Sequence, residues 1–347
     1  MSPQCRKLPD ERFIFRLTDD TGMFQHSIYA VPDPTKGYTS DDNARALIMA
    51  AMFYKASGEE RYLDLVTRYL SFLAYAQNDG WFRNFMDYDR NFTEKKGSDD
   101  CFGRCLLALG FTASRTYLPN SIRGVADKIF RDAVDSCDKL SFLRGKAYAA
   151  IGLCFKNEEK YHSILSKLAY DIAIAYEHCA AADWKWFENE ITYCNAVLPW
   201  AMLEAYEILK DEHYRKIGLE SLDFLLKTTF VGDMFRPVGC KGWYKRGETP
   251  AEFDQQPVEA CGTMLACLKA FKLTENNAYR SYARQCLEWY TGHNSLNISL
   301  IDPDTGGCMD GLTPKGLNHN QGAESLVCWI IASLASHTYF KEEDKEE

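Results

Sequence analysis

The chain has 347 residues, of which 46% are hydrophobic and 26% charged, and its formal net charge at pH 7 is -9. This composition is typical of a globular protein, the acidic balance argues against a nucleic-acid partner, and no apolar run is long enough to cross a membrane. Residues 1–10 lack the apolar centre of a secretory signal, and the 13 cysteines form no CxxC pair. We therefore predict a soluble, cytoplasmic protein with reduced thiols, no metal site and no cofactor.

Two kinds of helical segment alternate along the chain. The first kind is rich in Ala, Cys, Gly and Leu and is polar only at its start, and it occurs at residues 42–54, 101–114, 145–155, 191–209, 257–271 and 321–336. The second kind is amphipathic and charged, and it occurs at residues 61–75, 121–137, 159–178, 212–227 and 278–290. This alternation predicts an all-α (α/α)6 toroid, a closed ring of six helix hairpins that spans residues 1–347 as one domain.

Four details complete the predicted fold. No sixth amphipathic segment is evident, so we expect the N-terminal segment to help close the ring. Pro199 lies inside the fourth apolar segment and should kink its helix. Short strands are expected at residues 81–85 and 242–246, and the acidic tail at residues 341–347 is expected to be disordered.

A Ser-Asp-Asp motif begins the first two apolar segments, at residues 40–42 and 98–100, with Arg45 and Arg104 one turn later. Helix capping accounts for one aspartate of each pair. We expect the other, Asp42 or Asp100, to face the mouth of the ring as a candidate catalytic carboxylate. The neighbouring candidates for substrate binding are Tyr38, Asp41, Arg45 and Asp99.

The loop before the fourth apolar segment, at residues 184–195, is rich in tryptophan and carboxylates. Tryptophan faces stack on sugar rings, and carboxylates bind hydroxyl groups or move protons. A hydrophobic lid with ordinary caps explains the same residues. We predict Glu190 as a catalytic candidate and Trp186, Glu188 and Asn189 as substrate-binding residues.

Two further polar clusters precede the fifth and sixth apolar segments. In the first, Asp254 is a catalytic candidate, and Pro257 suits the first turn of a helix. The expected binding residues of this cluster are Trp243, Tyr244, Gln255 and Gln256. Those of the second are His319, Asn320, Gln321 and Glu324. By contrast, the segment near Gly145 has an almost bare start.

Alternating helix pairs should bring all these starts to the same side of the ring. A concave, acidic and aromatic-lined mouth there suits a carbohydrate, so an oligosaccharide or glycoside is the expected ligand. The sequence gives no oligomeric state.

The chain resembles the six-hairpin glycosidase-like superfamily of (α/α)6 toroids. It is more narrowly similar to a bacterial group found beside glycosyltransferases and mannoside-processing enzymes. The residues that carry this resemblance are 40–45, 98–100, 186–189 and 319–324. The resemblance implies the fold and a glycan context, but no catalytic pair. The sugar 2-epimerases of this fold use paired histidines deep in the barrel, and here His319 alone falls at the start of an apolar segment.

These observations favour a glycoside hydrolase whose acid and base are two carboxylates at the mouth, drawn from Asp42, Asp100, Glu190 and Asp254. Trp186, Trp243 and Tyr38 would be sugar platforms. Two alternatives stay open. One is a non-catalytic glycan-binding partner of a transferase or phosphorylase, and the other is a sugar isomerase or lyase.

Overall fold

The computed structural model describes residues 8–340, so the predicted disordered tail lies outside the described residues. Between residues 8 and 340 the chain forms twelve α-helices and six two-stranded antiparallel ladders. The predicted all-α fold is confirmed, because each strand has only two or three residues. Among these helices, none combines the length and apolar character that crossing a bilayer requires.

Six helices form the inner ring and correspond to the six apolar segments. They are α2 (Ser40–Ser57), α4 (Asp99–Ser114), α6 (Leu143–Lys156), α8 (Val197–Leu209), α10 (Pro257–Thr274) and α12 (Ala323–Tyr339). Helix α8 begins six residues later than predicted. Pro199 therefore lies in the first turn of the helix, where a backbone N–H group has no intrahelical acceptor. The prediction of a kink inside the helix was wrong.

The amphipathic segments form the outer layer, each packed against the inner helix that precedes it in the chain. They are α3 (Glu60–Ala76), α5 (Asn120–Val134), α7 (His162–Cys179), α9 (Glu212–Thr229) and α11 (Asn277–Tyr290). The short helix α1 (Arg12–Leu17) packs against α12 and buries Phe13, Ile14 and Leu17. The N-terminal segment thus takes part in closing the ring, as predicted.

The ring is closed because each inner helix contacts the next one and α12 contacts α2. Glycines allow the closest of these approaches, between α4 and α6. A Cβ atom at Gly103 would lie 2.4 Å from the carbonyl oxygen of Gly145, and one at Gly110 would lie 2.2 Å from that of Gly152. The two backbones can therefore touch only while these positions lack side chains.

Short ladders organise the loops at the starts of the inner helices. The strands are β1 (Ser27–Ile28), β2 (Val31–Pro32), β3 (Tyr38–Thr39), β4 (Gln77–Asn78), β5 (Trp81–Phe82), β6 (Phe85–Met86), β7 (Glu190–Ile191), β8 (Phe230–Val231), β9 (Met234–Phe235), β10 (Tyr244–Lys245), β11 (Gly311–Thr313) and β12 (Gly316–Asn318). Both predicted strand regions contribute, through β5 and β6 and through β10. The pairing of β10 with β7 joins two loops about fifty residues apart in sequence, which the chain alone did not indicate.

The two ends of the ring are distinct. The last turns of the six inner helices all border one cavity, which is lined by Lys55, Ser114, Phe155, Ile208, Lys272 and Tyr339 among others. Their first turns must therefore meet at the opposite end, which we call the mouth. This common orientation agrees with the expectation that the polar helix starts converge.

Candidate functional site

Two arginines and two carboxylates form an ion-pair cluster at the mouth. Arg45 donates one hydrogen bond to Asp42 and another to Glu324, both at 2.7 Å. Arg104 lies 3.8 Å from the same Glu324 oxygen. We call these four residues the arginine cluster, and it links α2, α4 and α12.

The arginine cluster gives its two carboxyl groups opposite pKa shifts. Burial raises the pKa of Asp42 to about 7, although Arg45 opposes the shift. Burial also acts to raise the pKa of Glu324, but Arg45 and Arg104 outweigh it, and the pKa is lowered. The Glu324 side chain is 40% exposed to solvent, whereas that of Asp42 is only 6% exposed. Glu324 is therefore an ionised carboxylate that a ligand can reach.

The start of α2 corrects the expected roles of its two aspartates. Thr39 caps the helix, because its hydroxyl accepts the Asp42 N–H and donates to the Asp42 carboxylate at 2.6 Å. Asp42 is buried, and its two carboxylate oxygens accept hydrogen bonds from Thr39 and Arg45. It is therefore not free to face the mouth. Asp41 is the more accessible residue. Its carboxylate accepts no hydrogen bond from residues 8–340, and its charge acts on Glu324 and Arg104.

The start of α4 also gives its two aspartates different roles, and neither of them is the cap. Ser98 caps the helix. Asp99 accepts the N–H groups of Ser141 and Phe142 at 2.6 and 2.9 Å, so it holds the start of α6 instead of binding a ligand. Asp100 accepts a hydrogen bond of 2.8 Å from the Tyr193 hydroxyl and stays partly exposed.

The start of α6 is not bare, contrary to the sequence-based expectation. Arg144 is buried there and donates to the Glu188 carboxylate, to the Thr192 hydroxyl and to the Tyr193 carbonyl, at 2.8, 2.8 and 2.5 Å. This arginine fixes the loop before α8 against α6. No capping motif marks Arg144 in the sequence, so its role was missed.

Two predicted sugar platforms are buried. Trp186 is 0% exposed, with its ring 5.4 Å from that of Phe187. Tyr38 is 1% exposed and donates to Asp19 at 2.6 Å. Since neither ring presents a face to solvent, the structure contradicts the expectation that they stack on a sugar.

A group of buried side chains lies next to Arg104 of the arginine cluster. The Arg104 guanidinium lies 4.8 Å from the centre of the Tyr148 ring and 3.2 Å from the Cys194 sulfur. Glu259 accepts the Cys194 N–H and, at 2.9 Å, the Asn195 side chain. Burial raises the pKa of Glu259, and that of Cys194 to about 12. We call Tyr148, Cys194 and Glu259 the floor. They sit within apolar or loop sequence, where no motif distinguished them.

The predicted cluster before α10 lies apart from the arginine cluster. Gln255 is 0% exposed and holds Trp289 and Ser295, so it is unavailable to a ligand. Asp254 is partly exposed and lies 3.2 Å from the Lys241 ammonium. Gln256 precedes α10 without a side-chain cap bond. Trp243 and Tyr244 are half-buried on the neighbouring loop, which β10 joins to β7.

The predicted cluster before α12 is divided between structure and surface. Gln321 is buried and bonded to Thr305 and Asp302 at 2.9 and 2.7 Å, so the structure contradicts its predicted role in binding. Asn320 and His319 are exposed on the rim beside Tyr29. Within this cluster only Glu324 enters the arginine cluster.

A side groove of about 830 Å³ opens beside the starts of α6 and α8. Phe142 is 71% and Tyr193 39% exposed there, and both were missed in the sequence. Glu188, Asn189 and Glu190 also line the groove, as do Arg144, Thr192, Lys245, Arg246 and Glu248. The groove thus combines aromatic faces with several charged groups. In the described part of the chain, no group of three or more His, Cys, Asp or Glu side chains is arranged to hold a metal ion.

The fold is similar to that of several solved carbohydrate-processing enzymes. A cellobiose 2-epimerase from Bacillus thermoamylovorans matches with a TM-score of 0.73 at 12% identity, covering 95% of each chain. An α-mannanase from Bacteroides thetaiotaomicron matches with a TM-score of 0.66 at 10% identity, covering 98% of this chain and 96% of that one. An α-1,6-mannanase from Salegentibacter, solved with α-1,6-mannotetrose as an inactive variant in which two adjacent aspartates are replaced, matches with a TM-score of 0.62 at 11% identity, covering 94% and 96%.

No family model and no curated protein matches the sequence. At these levels of identity the similarity establishes the fold. The chain therefore has the fold of the six-hairpin glycosidase-like (α/α)6 superfamily.

Proposed function

We propose that this protein is a carbohydrate-active enzyme, and specifically a glycoside hydrolase that works at the mouth of the ring. The observation that carries the proposal is the environment of Glu324. It is an accessible, ionised carboxylate held by two arginines, and a second carboxylate, Asp41, acts on it from the start of α2.

These two carboxylates suit the two roles that glycoside hydrolysis needs. Arg45 and Arg104 keep Glu324 ionised, so it can accept a proton from water and act as the base. Asp41, whose carboxyl group accepts no hydrogen bond from residues 8–340, is assigned the role of the acid that protonates the leaving oxygen. This assignment replaces Asp42, which is buried, and omits Glu190 and Asp254, which form no bond to the arginine cluster.

The side groove supports an oligosaccharide substrate. Phe142 and Tyr193 present exposed rings on which sugar faces can stack, and Glu188, Asn189 and Glu190 offer hydrogen-bond acceptors. Asp100 would bind a hydroxyl group together with Tyr193. In the Salegentibacter mannanase, the inactive variant lacks two adjacent aspartates, and this chain carries two such pairs, Asp41-Asp42 and Asp99-Asp100.

A sugar epimerase or isomerase is the second candidate, because epimerases and a mannose isomerase share the fold. The positions of three of the seven histidines favour the hydrolase. His319 is exposed on the rim, His213 pairs with Glu177, and His293 lies near Asp233. None of these three borders the arginine cluster.

The test is a screen of mannosides, glucosides and uronides of increasing length, with products identified by mass. We expect a product that has gained water. Glu324→Gln and Asp41→Asn should each lower turnover by about 10²–10⁴-fold without loss of folding. Asp254→Asn is the matched control and should keep most of the activity.

Other outcomes would separate the alternatives. Full activity in both amide variants would refute the assignment of acid and base. A product of unchanged mass would indicate an isomerase, and tight glycan binding without any product would indicate a binding protein.

A further inference from the structure

A second cavity, of about 1160 Å³, opens at the end of the ring opposite the mouth. All six inner helices contribute large apolar side chains to its wall: Met52, Phe111, Phe155, Trp200, Leu265 and Ile331. Arg45 and Lys55 also line it. Since they are ten residues apart on α2, the cavity is about 15 Å deep. Its inner end is lined by the floor and by Arg45 and Arg104 of the arginine cluster.

The wall exposes more apolar surface than a structural core requires. Met52, Phe111, Phe155, Trp200 and Leu265 are all partly exposed, although they point into the centre of a closed ring. Solvent-exposed apolar surface of this extent is unfavourable and typically marks a binding site. Aliphatic side chains are frequent in the wall, so an alkyl chain suits it better than a sugar.

The entrance of this cavity carries cations that have no carboxylate partner. The Arg115 guanidinium packs on Phe111 at 4.0 Å, forms no ion pair within residues 8–340, and its Nε is buried without a hydrogen bond. Lys55 lies over the Tyr117 ring at 6.0 Å and likewise has no carboxylate partner in the described chain.

The two glutamates nearest the entrance, by contrast, are paired with lysines. Glu204 pairs with Lys269 at 2.5 Å, and Glu207 pairs with Lys269 and Lys272 at 2.6 and 2.8 Å. Among residues 8–340, the unpaired charge at the entrance is therefore positive. An anionic group placed there would pair with the partly buried Arg115 guanidinium and with the exposed Lys55 ammonium.

We propose that this cavity binds a single-chain amphiphile with an anionic head group, whose alkyl chain lies on the apolar wall and whose head group lies on Arg115 and Lys55. The proposal does not rest on the hydrolase assignment at the mouth, although Arg45 and Arg104 of the arginine cluster line the inner end of the cavity.

The test uses the full-length protein and three probes with the same alkyl chain, each below its micelle concentration: dodecyl phosphate, dodecyl maltoside and dodecyltrimethylammonium. Calorimetry should show that dodecyl phosphate binds at least tenfold more tightly than the other two. The double variant Arg115→Gln with Lys55→Gln should remove this preference. Leu265→Trp, which narrows the cavity, should weaken binding of all three probes.

Controls separate binding in the cavity from other effects. Phe142→Ala, at the mouth, should leave dodecyl phosphate binding unchanged. Thermal melting of each variant reports folding, and Met52→Phe is the second narrowing variant if Leu265→Trp unfolds. Equal affinity for the three probes, or unchanged binding in a folded variant with a narrowed cavity, would overturn the proposal.

Discussion

At the scale of single residues, Arg45 is the centre of the candidate site because it holds two carboxylates that belong to different helices. Asp42 comes from the same helix, and Glu324 comes from the far end of the chain. Burial and charge then act in opposite directions on the two groups, so the pKa of one is raised and that of the other lowered. This difference has a measurable effect on stability.

The raised pKa of Asp42 predicts a pH-dependent effect of Asp42→Asn. The folded protein binds a proton there up to about pH 7, whereas the unfolded chain releases it near pH 4. The stabilisation from this proton is complete below pH 4 and is lost as the pH rises through about 7. The free energy of unfolding of Asp42→Asn, relative to that of the unsubstituted protein, should therefore increase as the pH rises from 5 to 8, as measured by urea unfolding.

Asp302 provides a control of opposite sign. Burial acts to raise its pKa, but hydrogen bonds from Gln321 and Thr305 outweigh this and lower it. Its stabilising effect is therefore present above about pH 4 and is lost at lower pH. The difference in free energy of unfolding between Asp302→Asn and the unsubstituted protein should stay constant from pH 5 to pH 8. If the difference for Asp42→Asn is constant as well, the raised pKa of Asp42 is contradicted.

At the scale of helices, neighbouring inner helices are joined by two different kinds of contact. Backbone contact through glycine joins α4 and α6. An ion-pair network joins α8 and α10, where Lys269 is buried between Glu204 and Glu207. Different substitutions disrupt the two contacts, so a separate pair of variants tests each one.

The glycine contact predicts that Gly110→Ala is destabilising, because the new methyl group would overlap the Gly152 carbonyl. We expect a loss of about 1–3 kcal/mol in the free energy of unfolding. Gly124→Ala in α5 is the matched control, since a Cβ there meets nothing within 4 Å, and it should stabilise the protein by up to about 1 kcal/mol. Equal effects of the two substitutions in chemical denaturation would refute the close helix contact.

The buried network predicts that Lys269→Met is strongly destabilising. The substitution leaves Glu204 buried without a countercharge, at a cost of about 3–5 kcal/mol. Lys272 pairs with Glu207 on the surface and is 54% exposed, so Lys272→Met should cost less than about 1 kcal/mol. Unfolding in guanidinium chloride measures both values. A similar loss of unfolding free energy in both variants would show that burial does not determine how much these ion pairs contribute to stability.

At the scale of the whole molecule, the ring has a polar mouth at one end and a cavity with an apolar wall and a charged entrance at the other. The ring is closed by contacts between the two ends of the chain: helix α1 packs against α12, and α12 packs against α2. The catalytic proposal concerns the mouth, and the amphiphile proposal concerns the cavity. Both depend on a closed ring.

Ring closure predicts that a cavity in α1 destabilises the whole protein. Phe13 is 0% exposed, and Phe13→Ala should cost about 3–5 kcal/mol while unfolding remains a single transition. Phe15, on the same helix, is 39% exposed, and Phe15→Ala should cost far less. A separate early transition for Phe13→Ala in calorimetry would show that α1 is not part of the cooperative ring.

The sequence by itself determined the helices and their order in the ring, because apolar periodicity and small-residue composition are local properties of the chain. It also located the starts of five of the six inner helices to within two residues, and α8 is the exception. Ser98 caps one of these helices, and Pro257 begins another. Asp42 and Asp100 were reasonable candidates on that basis, as was Glu324, whose carboxylate stands in an otherwise apolar helix.

Only the tertiary structure decided which of these side chains reach the mouth. Adjacent residues on a helix point about 100° apart, so the packing of α2 against its neighbours exposes Asp41 and buries Asp42. The same packing buries Trp186 and Tyr38 and brings Arg144 to Glu188 across 44 residues of sequence. Burial and long-range pairing depend on neighbours that are distant in the chain, which is why local pattern predicted the ring but not its site.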